Sequence, residues 1–141
     1  MSLEWIKETP PYWDGNKTAV VGGAPAGVFE MPSYSDGDLI AAEWWRVEED
    51  GNVVGYGWMD HTWGDAEILL AVGSEARGRG VGTFILDRLE EEARDRGLNY
   101  MFNVVRPTHP DREGVTRWLE GRGFKASDDG LLKRQVALTR K

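Results

Sequence analysis

The chain has 141 residues, 40% of them hydrophobic and 11% aromatic, which suits one domain folded around one core and lies far from a disordered composition. With no cysteine and only two histidines, His61 and His109, it has no disulfide, thiolate metal site or cysteine nucleophile, and no metal centre is expected. A net charge of -7 argues against a general nucleic-acid binder, which needs a basic face, and favours cationic partners such as amines.

In chain order, the first 38 residues are rich in glycine and proline (ETPPYWDGNK, VVGGAPAG, EMPSYSDGD). Their only apolar runs are brief, at Ala19–Val21 and Val28–Phe29, so irregular structure with one or two short strands is expected. The opening MSLEWIKETPPYWDG lacks the basic and apolar regions of a signal peptide, and no apolar run is long enough to span a bilayer. A cytoplasmic protein without membrane association is therefore expected. Two β-rich runs, Leu39–Val47 and Val53–Met59, flank EEDGN, whose Asp50-Gly51 pair predicts a tight hairpin.

After the polar turn HTWGD, the run AEILLAV at Ala66–Val72 reads as a central strand buried on both faces. A glycine-rich turn follows, and then Val81, Ile85, Leu86, Leu89 and Ala93 recur at helical spacing up to Arg96, with Gly97 placed to close the helix. Glu90 with Arg94 and Glu92 with Arg96 are four apart and predict ion pairs on its surface. Leu98–Val105 reads as a further strand, Asp111–Gly121 as a shorter helix packed through Val115, Trp118 and Leu119, and GFKAS with LLKRQVAL as a terminal hairpin about Asp128-Asp129-Gly130. The order implies an α+β fold with a parallel step across the long helix.

The turn SEARGRGVGTF carries the chemistry. A strand that feeds through Gly78, Gly80 and Gly82 into a helix exposes unpaired N–H groups at the positive end of the helix dipole, a site for an anion. Arg77 and Arg79 add guanidinium groups suited to phosphate. A GxxxxGK[ST] phosphate loop is absent, and GRGVGT misses the third glycine of the dinucleotide fingerprint, where Thr83 stands.

Arg77-x-x-Gly80-x-Gly82, preceded by AEILLAVGSEA, resembles the acyl-CoA signature of the GNAT superfamily of N-acyltransferases. The resemblance covers roughly Leu39 to Leu138 and includes the closing RGF of Arg122–Phe124. It implies a mixed, splayed central sheet with flanking helices and acetyl-CoA as cosubstrate. It further implies that the loop Arg77, Gly78, Arg79, Gly80, Val81, Gly82 and Thr83 binds the pyrophosphate, with Ala71 and Val72 offering their strand to the pantetheine arm as a β-partner. The acetyl thioester would lie between the Ala66–Val72 and Leu98–Val105 strands.

Acylation of an amine needs a base for the ammonium and an acid, or a stable anion, for the leaving thiol. Glu67 stands where related enzymes often carry a carboxylate, and partial burial would raise its pKa and make it a better base. His61 is the second candidate, and Glu43 and Asp60 lie near the same end of the hairpin. The chain departs from the family in its last helix, where Arg112 occupies the position of the usual asparagine and Leu119 that of the usual tyrosine. Tyr100 is a speculative substitute acid, and Asn103, His109 or Arg112 would have to replace the asparagine.

Trp44 and Trp45 are adjacent on a strand and must face opposite ways. Trp45, Trp58 and Trp63 are candidates to line an acceptor pocket, with Trp13 and Tyr34 completing it, because aromatic faces hold cationic amines. Packing and homodimer contact are the competing uses of these rings. The leading expectation is an N-acetyltransferase acting on a primary amine of a small molecule or peptide. An acyl-CoA-sensing module with lost transfer and a tryptophan-mediated interaction domain are the alternatives.

Overall fold

A computed structural model describes residues 2–21, 35–73, 76–78, 80–104, 112–126 and 131–136. Seven strands form one sheet in the order β1-β2-β3-β4-β5-β7-β6. The first four, β1 (Leu3–Glu8), β2 (Glu43–Glu49), β3 (Asn52–Thr62) and β4 (Asp65–Val72), are antiparallel neighbours. β4 is joined to β5 (Tyr100–Asn103) in parallel, and β5 is followed by the antiparallel pair β7 (Leu132–Gln135) and β6 (Lys125–Ala126). The architecture is the expected α+β one, including the parallel step across the long helix.

Both early hairpins are tight because two consecutive residues adopt positive φ. Asp50 and Gly51 (53° and 81°) link β2 to β3, and Trp63 and Gly64 (52° and 82°) link β3 to β4. Three helices cover the sheet. Both α2 (Val81–Asp95) and α3 (Arg112–Glu120) lie over one face, where Val81, Ile85, Leu86, Leu89, Ala93 and Leu119 share a buried cluster with Trp45, Met59, Ile68 and Phe124. α1 (Gly15–Val20) lies over the other, where Trp13, Val21, Ile40, Trp44 and Tyr56 form a second, smaller cluster. Trp44 and Trp45 thus point into different cores, as strand alternation requires. α2 ends as anticipated, with Gly97 at φ 68° and Arg96 paired to Glu92 at 2.8 Å, while Glu90 reaches across to Arg134 at 3.2 Å.

The reading of the N-terminal part is corrected. β1 forms in LEWIKE, where Leu3 and Trp5 pack into the large cluster and Trp5 stacks on Trp45 with centroids 5.4 Å apart. Ala19 and Val20 close α1 instead of building a strand, because the Asp14 side chain accepts the Lys17 amide at 2.9 Å and caps the helix. The run at 28–29 and the turn at 128–130 lie outside the described residues. β4 is central but not buried along its whole length: Ala66 and Ile68 are buried, and Leu69–Val72 are only partly so. No helix among the described residues is long and apolar enough to cross a membrane.

One buried ion pair fastens α1 to the sheet. Lys17 is fully buried, its ammonium 2.5 Å from Glu8 of β1 and 3.3 Å from Asp14, and it lies 4.9 Å from the centre of the Tyr56 ring. Removing one partner leaves a desolvated charge, whose cost outweighs the gain of the intact pair. Glu8→Ala is therefore expected to destabilise the protein by about 3–5 kcal/mol, whereas Lys7→Ala, at the neighbouring position with an exposed ammonium, is expected to cost under about 1 kcal/mol. Urea denaturation of the two variants beside the parent checks this.

Candidate active site

The site begins where β4 and β5 part. Only Ala66 with Met101 and Glu67 with Phe102 are paired in register, and beyond them the Asn103 side-chain amide donates to the Ile68 carbonyl at 2.8 Å. Because the Ile68 carbonyl points toward β5, strand alternation turns the backbone groups of Leu70 and Val72 the same way, into the gap. Those groups form an open edge suited to an extended ligand. Ala71 is corrected on this point: its backbone faces β3, where it is in register with Tyr56, and its side chain packs against the second cluster.

At the open end of the gap stands the N-terminus of α2. Gly78 and Gly80 hold φ of 79° and 83°, a conformation that glycine adopts without strain, and Gly80 caps the helix with no side chain over its end. The first amide bonded within the helix is that of Phe84, to the Gly80 carbonyl at 3.0 Å. The amides of Val81, Gly82 and Thr83 have no acceptor inside the helix, and all three residues line the cavity beside the gap. Gly82 is needed for a second reason: a Cβ there would come within 3.3 Å of the Trp118 ring of α3. Together these elements enclose a cavity of about 510 Å³, floored by Ile68, Leu70 and Val72 and walled by Val115, Trp118 and Leu119. Arg77 and Arg122 line its entrance.

Most of the loop residues expected from sequence are therefore gathered around one cavity: Val72, Arg77, Gly78, Gly80, Val81, Gly82 and Thr83. Arg79 lies outside the described residues, as do His109 and Tyr34. Glu67 sits at the fork itself, on β4, in register with Phe102 on one side and Asp60 on the other, and two residues before Leu69, which lines the cavity.

His61 is placed elsewhere. Its Nε2 lies 3.1 Å from Glu43, which also takes Arg96 at 2.6 Å and Lys7 at 2.9 Å. Burial pushes the Glu43 carboxyl up, but hydrogen bonds from Lys7 and Arg96 outweigh it and hold the group below the ordinary carboxylate range. This cluster lies at the C-terminal end of α2, and His61 is in register with Ala66, whose side chain is in the α2-side core, so strand alternation puts it on the opposite face from Glu67. His61 therefore serves that ion cluster, not the cavity.

The aromatic candidates also separate. Trp45 is 1% exposed and fills the large core, so it lines no pocket. Trp63 is 99% exposed at the tip of the β3–β4 hairpin. Trp58 lines a second, small cavity of about 10 Å³ with Trp44, Tyr56 and Val21, on the α1 side of β4. Leu69 and Leu70 border both cavities, so the two meet across one strand. Trp13 is buried in the second cluster, its indole N–H donating to Thr18 at 2.9 Å. The Tyr56 hydroxyl is buried beside the small cavity, and burial, reinforced by the Asp14 and Glu8 carboxylates, pushes its pKa far up and keeps it protonated. Tyr100 is 41% exposed at the start of β5, opposite Gln135, and Arg112 is exposed at the start of α3. Leu119 is buried in the cavity wall, so no hydroxyl stands at that place.

Two residues that organise the cavity had no binding role assigned from sequence, where Trp118 was read as helix packing and Arg122 as part of the closing RGF. Trp118 and Arg122 are four apart, and the guanidinium lies 3.8 Å above the centre of the indole. An aromatic–arginine pair at helical spacing beside the glycine turn was the available signal. Among the described residues no group of histidines, aspartates and glutamates is placed to hold a metal ion.

The geometry agrees with known proteins. The model of the acetyltransferase (GNAT) family matches residues 7–124. Over 62 residues the chain is 48% identical to an uncharacterized N-acetyltransferase of Methanocaldococcus jannaschii, a match that takes in 42% of this chain and 33% of the relative; the chain thus spans about a third of that protein's length. An N-acetyltransferase from Staphylococcus aureus Mu50 shares the fold, with a TM-score of 0.57 and 19% identity over 68% of each chain. So does the N-acetylglutamate synthase from Neisseria gonorrhoeae complexed with coenzyme A and L-arginine, with a TM-score of 0.57 and 23% identity over 66% of this chain and 24% of that one. A parted pair of parallel strands, a glycine turn opening a helix, and a family match that covers most of the length lead to one conclusion: the chain belongs to the GNAT acetyltransferase family.

Proposed function

We propose that the chain is an N-acetyltransferase that moves an acetyl group from acetyl-CoA to a primary amine by direct attack, without a metal. The observation that carries this reading is the continuity of the open β4 edge with the bare amides of α2 in one cavity. The residues present fit the ligand: the amides of Val81, Gly82 and Thr83 with Arg77 suit a pyrophosphate, and the Leu70 and Val72 backbone suits the amide-bearing pantetheine arm. Bound there, acetyl-CoA would supply an activated thioester whose thiolate is a good leaving group.

Glu67, at the fork between β4 and β5, is the base in this proposal. It takes the ammonium proton from the acceptor, directly or through water, so that the free amine can attack. Leu119 offers no proton to the departing sulfur, and solvent at the cavity mouth fills that role. The acceptor approaches from the α1 side of β4, the face that Glu67 shares with Leu69 by strand alternation. Its class is a small-molecule or peptide amine, and the net charge of -7 favours a cationic one. The apolar Leu119 also supports a second reading, an acyl-CoA sensor without efficient transfer.

Screening an amine panel for CoA thiol release separates enzyme from sensor: binding of acetyl-CoA with no release above background selects the sensor. Glu67→Gln is expected to lower kcat by about a hundredfold or more near neutral pH, with the deficit shrinking as pH rises and the acceptor deprotonates in bulk. Full turnover of this variant at every pH removes Glu67 from the base role. Gly80→Glu combines a strained positive φ with a carboxylate beside the bare amides and is expected to weaken acetyl-CoA binding about tenfold or more. Parent-like affinity by calorimetry removes the anion-loop assignment.

A further inference from the structure

The ligand proposed for the cavity is a polyanion, whereas the protein carries a net charge of -7. The approach must therefore be made locally positive, and Arg77 and Arg122 are the only cationic side chains lining it among the described residues. Arg77 comes from the glycine turn and is exposed. Arg122 comes from the opposite wall, just past the end of α3, and is far more tightly held.

Three contacts fix its guanidinium. It lies over the Trp118 indole, 3.8 Å from the ring centre, its Nη1 donates to the Trp118 carbonyl at 3.1 Å, and its Nη2 donates to the Thr83 hydroxyl at 3.1 Å. The Arg134 Nη1 donates to the Arg122 carbonyl at 2.8 Å and pins the backbone as well. Among the described residues no carboxylate pairs with the Arg122 guanidinium, and its Nε is buried without a hydrogen-bond partner. The tether to Thr83 is the informative one, because Thr83 belongs to the first turn of α2, where the bare amides are. A planar cation is thus held one hydrogen bond from the proposed anion site, with N–H groups left to donate and no counter-ion among the described residues.

We infer that Arg122, seated on Trp118 and tethered to Thr83, is a second phosphate clamp that grips the acyl-CoA pyrophosphate from the α3 side, opposite Arg77. This rests on the acyl-CoA reading above and adds a binding residue to it. The clamp stands just past the helix that lacks the family's polar pair, with Arg112 and Leu119 in their places, and supplies a charged contact there by another route. Trp118 acts as a positioning residue, and the missing Cβ of Gly82 gives it room.

The test is calorimetric titration of the full chain and of Arg122→Met and Arg122→Lys with acetyl-CoA, acetyl-dephospho-CoA and S-acetylpantetheine, each at two salt concentrations. Methionine keeps an apolar stem on the indole and loses the charge; lysine keeps the charge and loses the fork. Arg122→Met is expected to bind acetyl-CoA and acetyl-dephospho-CoA about 10–100-fold more weakly, with a flatter salt dependence, at an unchanged Tm and unchanged S-acetylpantetheine affinity. Arg122→Lys recovers part of the loss. Parent-like affinity of Arg122→Met for acetyl-CoA overturns the clamp while leaving the acyl-CoA reading standing. An equal loss for S-acetylpantetheine also overturns it, because the arginine then merely holds the wall, and sensitivity confined to acetyl-CoA moves the contact from the pyrophosphate to the 3′-phosphate. A parent chain that binds no acetyl-CoA overturns the acyl-CoA reading itself.

Discussion

The site depends on a hydrogen-bond ladder that stops early. β4 is held along its whole length by β3 but by β5 at only two register pairs, after which the strands part. A buried strand edge without partners is costly, so such a gap persists only where side chains or a ligand satisfy it. Asn103 does so for the Ile68 carbonyl, and the cavity leaves the next backbone groups of β4 accessible. The glycine turn, α2 and the wall of α3 all take their functional meaning from that opening.

The two ends of α2 are treated in opposite ways. At its C-terminus Arg96 closes onto Glu92 and Glu43, a cation against the negative end of the helix dipole. At its N-terminus Gly80 offers no side-chain cap, and among the described residues the cationic groups that line the cavity there are Arg77 on the turn and Arg122 just past α3. One helix therefore carries a closed ion cluster at one end and, at the other, the amides that the proposed function assigns to an anion. The acidic surface makes that local positive region more selective, since a polyanion is repelled elsewhere.

The long helix, the hairpin around Asp50-Gly51 and the glycine turn were legible because each rests on local rules: helical periodicity, positive φ and missing Cβ atoms; HTWGD read only as a polar turn, and the structure made it a hairpin at Trp63-Gly64. β1 and α1 were not, because the glycines and prolines around them obscured the alternation in LEWIKE and the Asp14 cap. Their stability comes from distant partners, Trp5 on Trp45 and Glu8 on Lys17. The aromatic candidates failed for a related reason. Composition shows that tryptophans are many, but the pairing register decides that Trp45 is core, Trp63 a hairpin tip and Trp58 the wall of a small cavity.

The sequence by itself determined the family, the glycine turn and the strand–helix–strand unit that carries it, because these are written in short-range spacing. Only the tertiary structure decided that β4 and β5 part after two pairs and that His61 serves the ion cluster at the C-terminal end of α2. It alone brought Arg122 across 39 residues to Thr83. Such groupings depend on where separate elements dock, and docking is set by side-chain packing across the sheet, which no local spacing encodes.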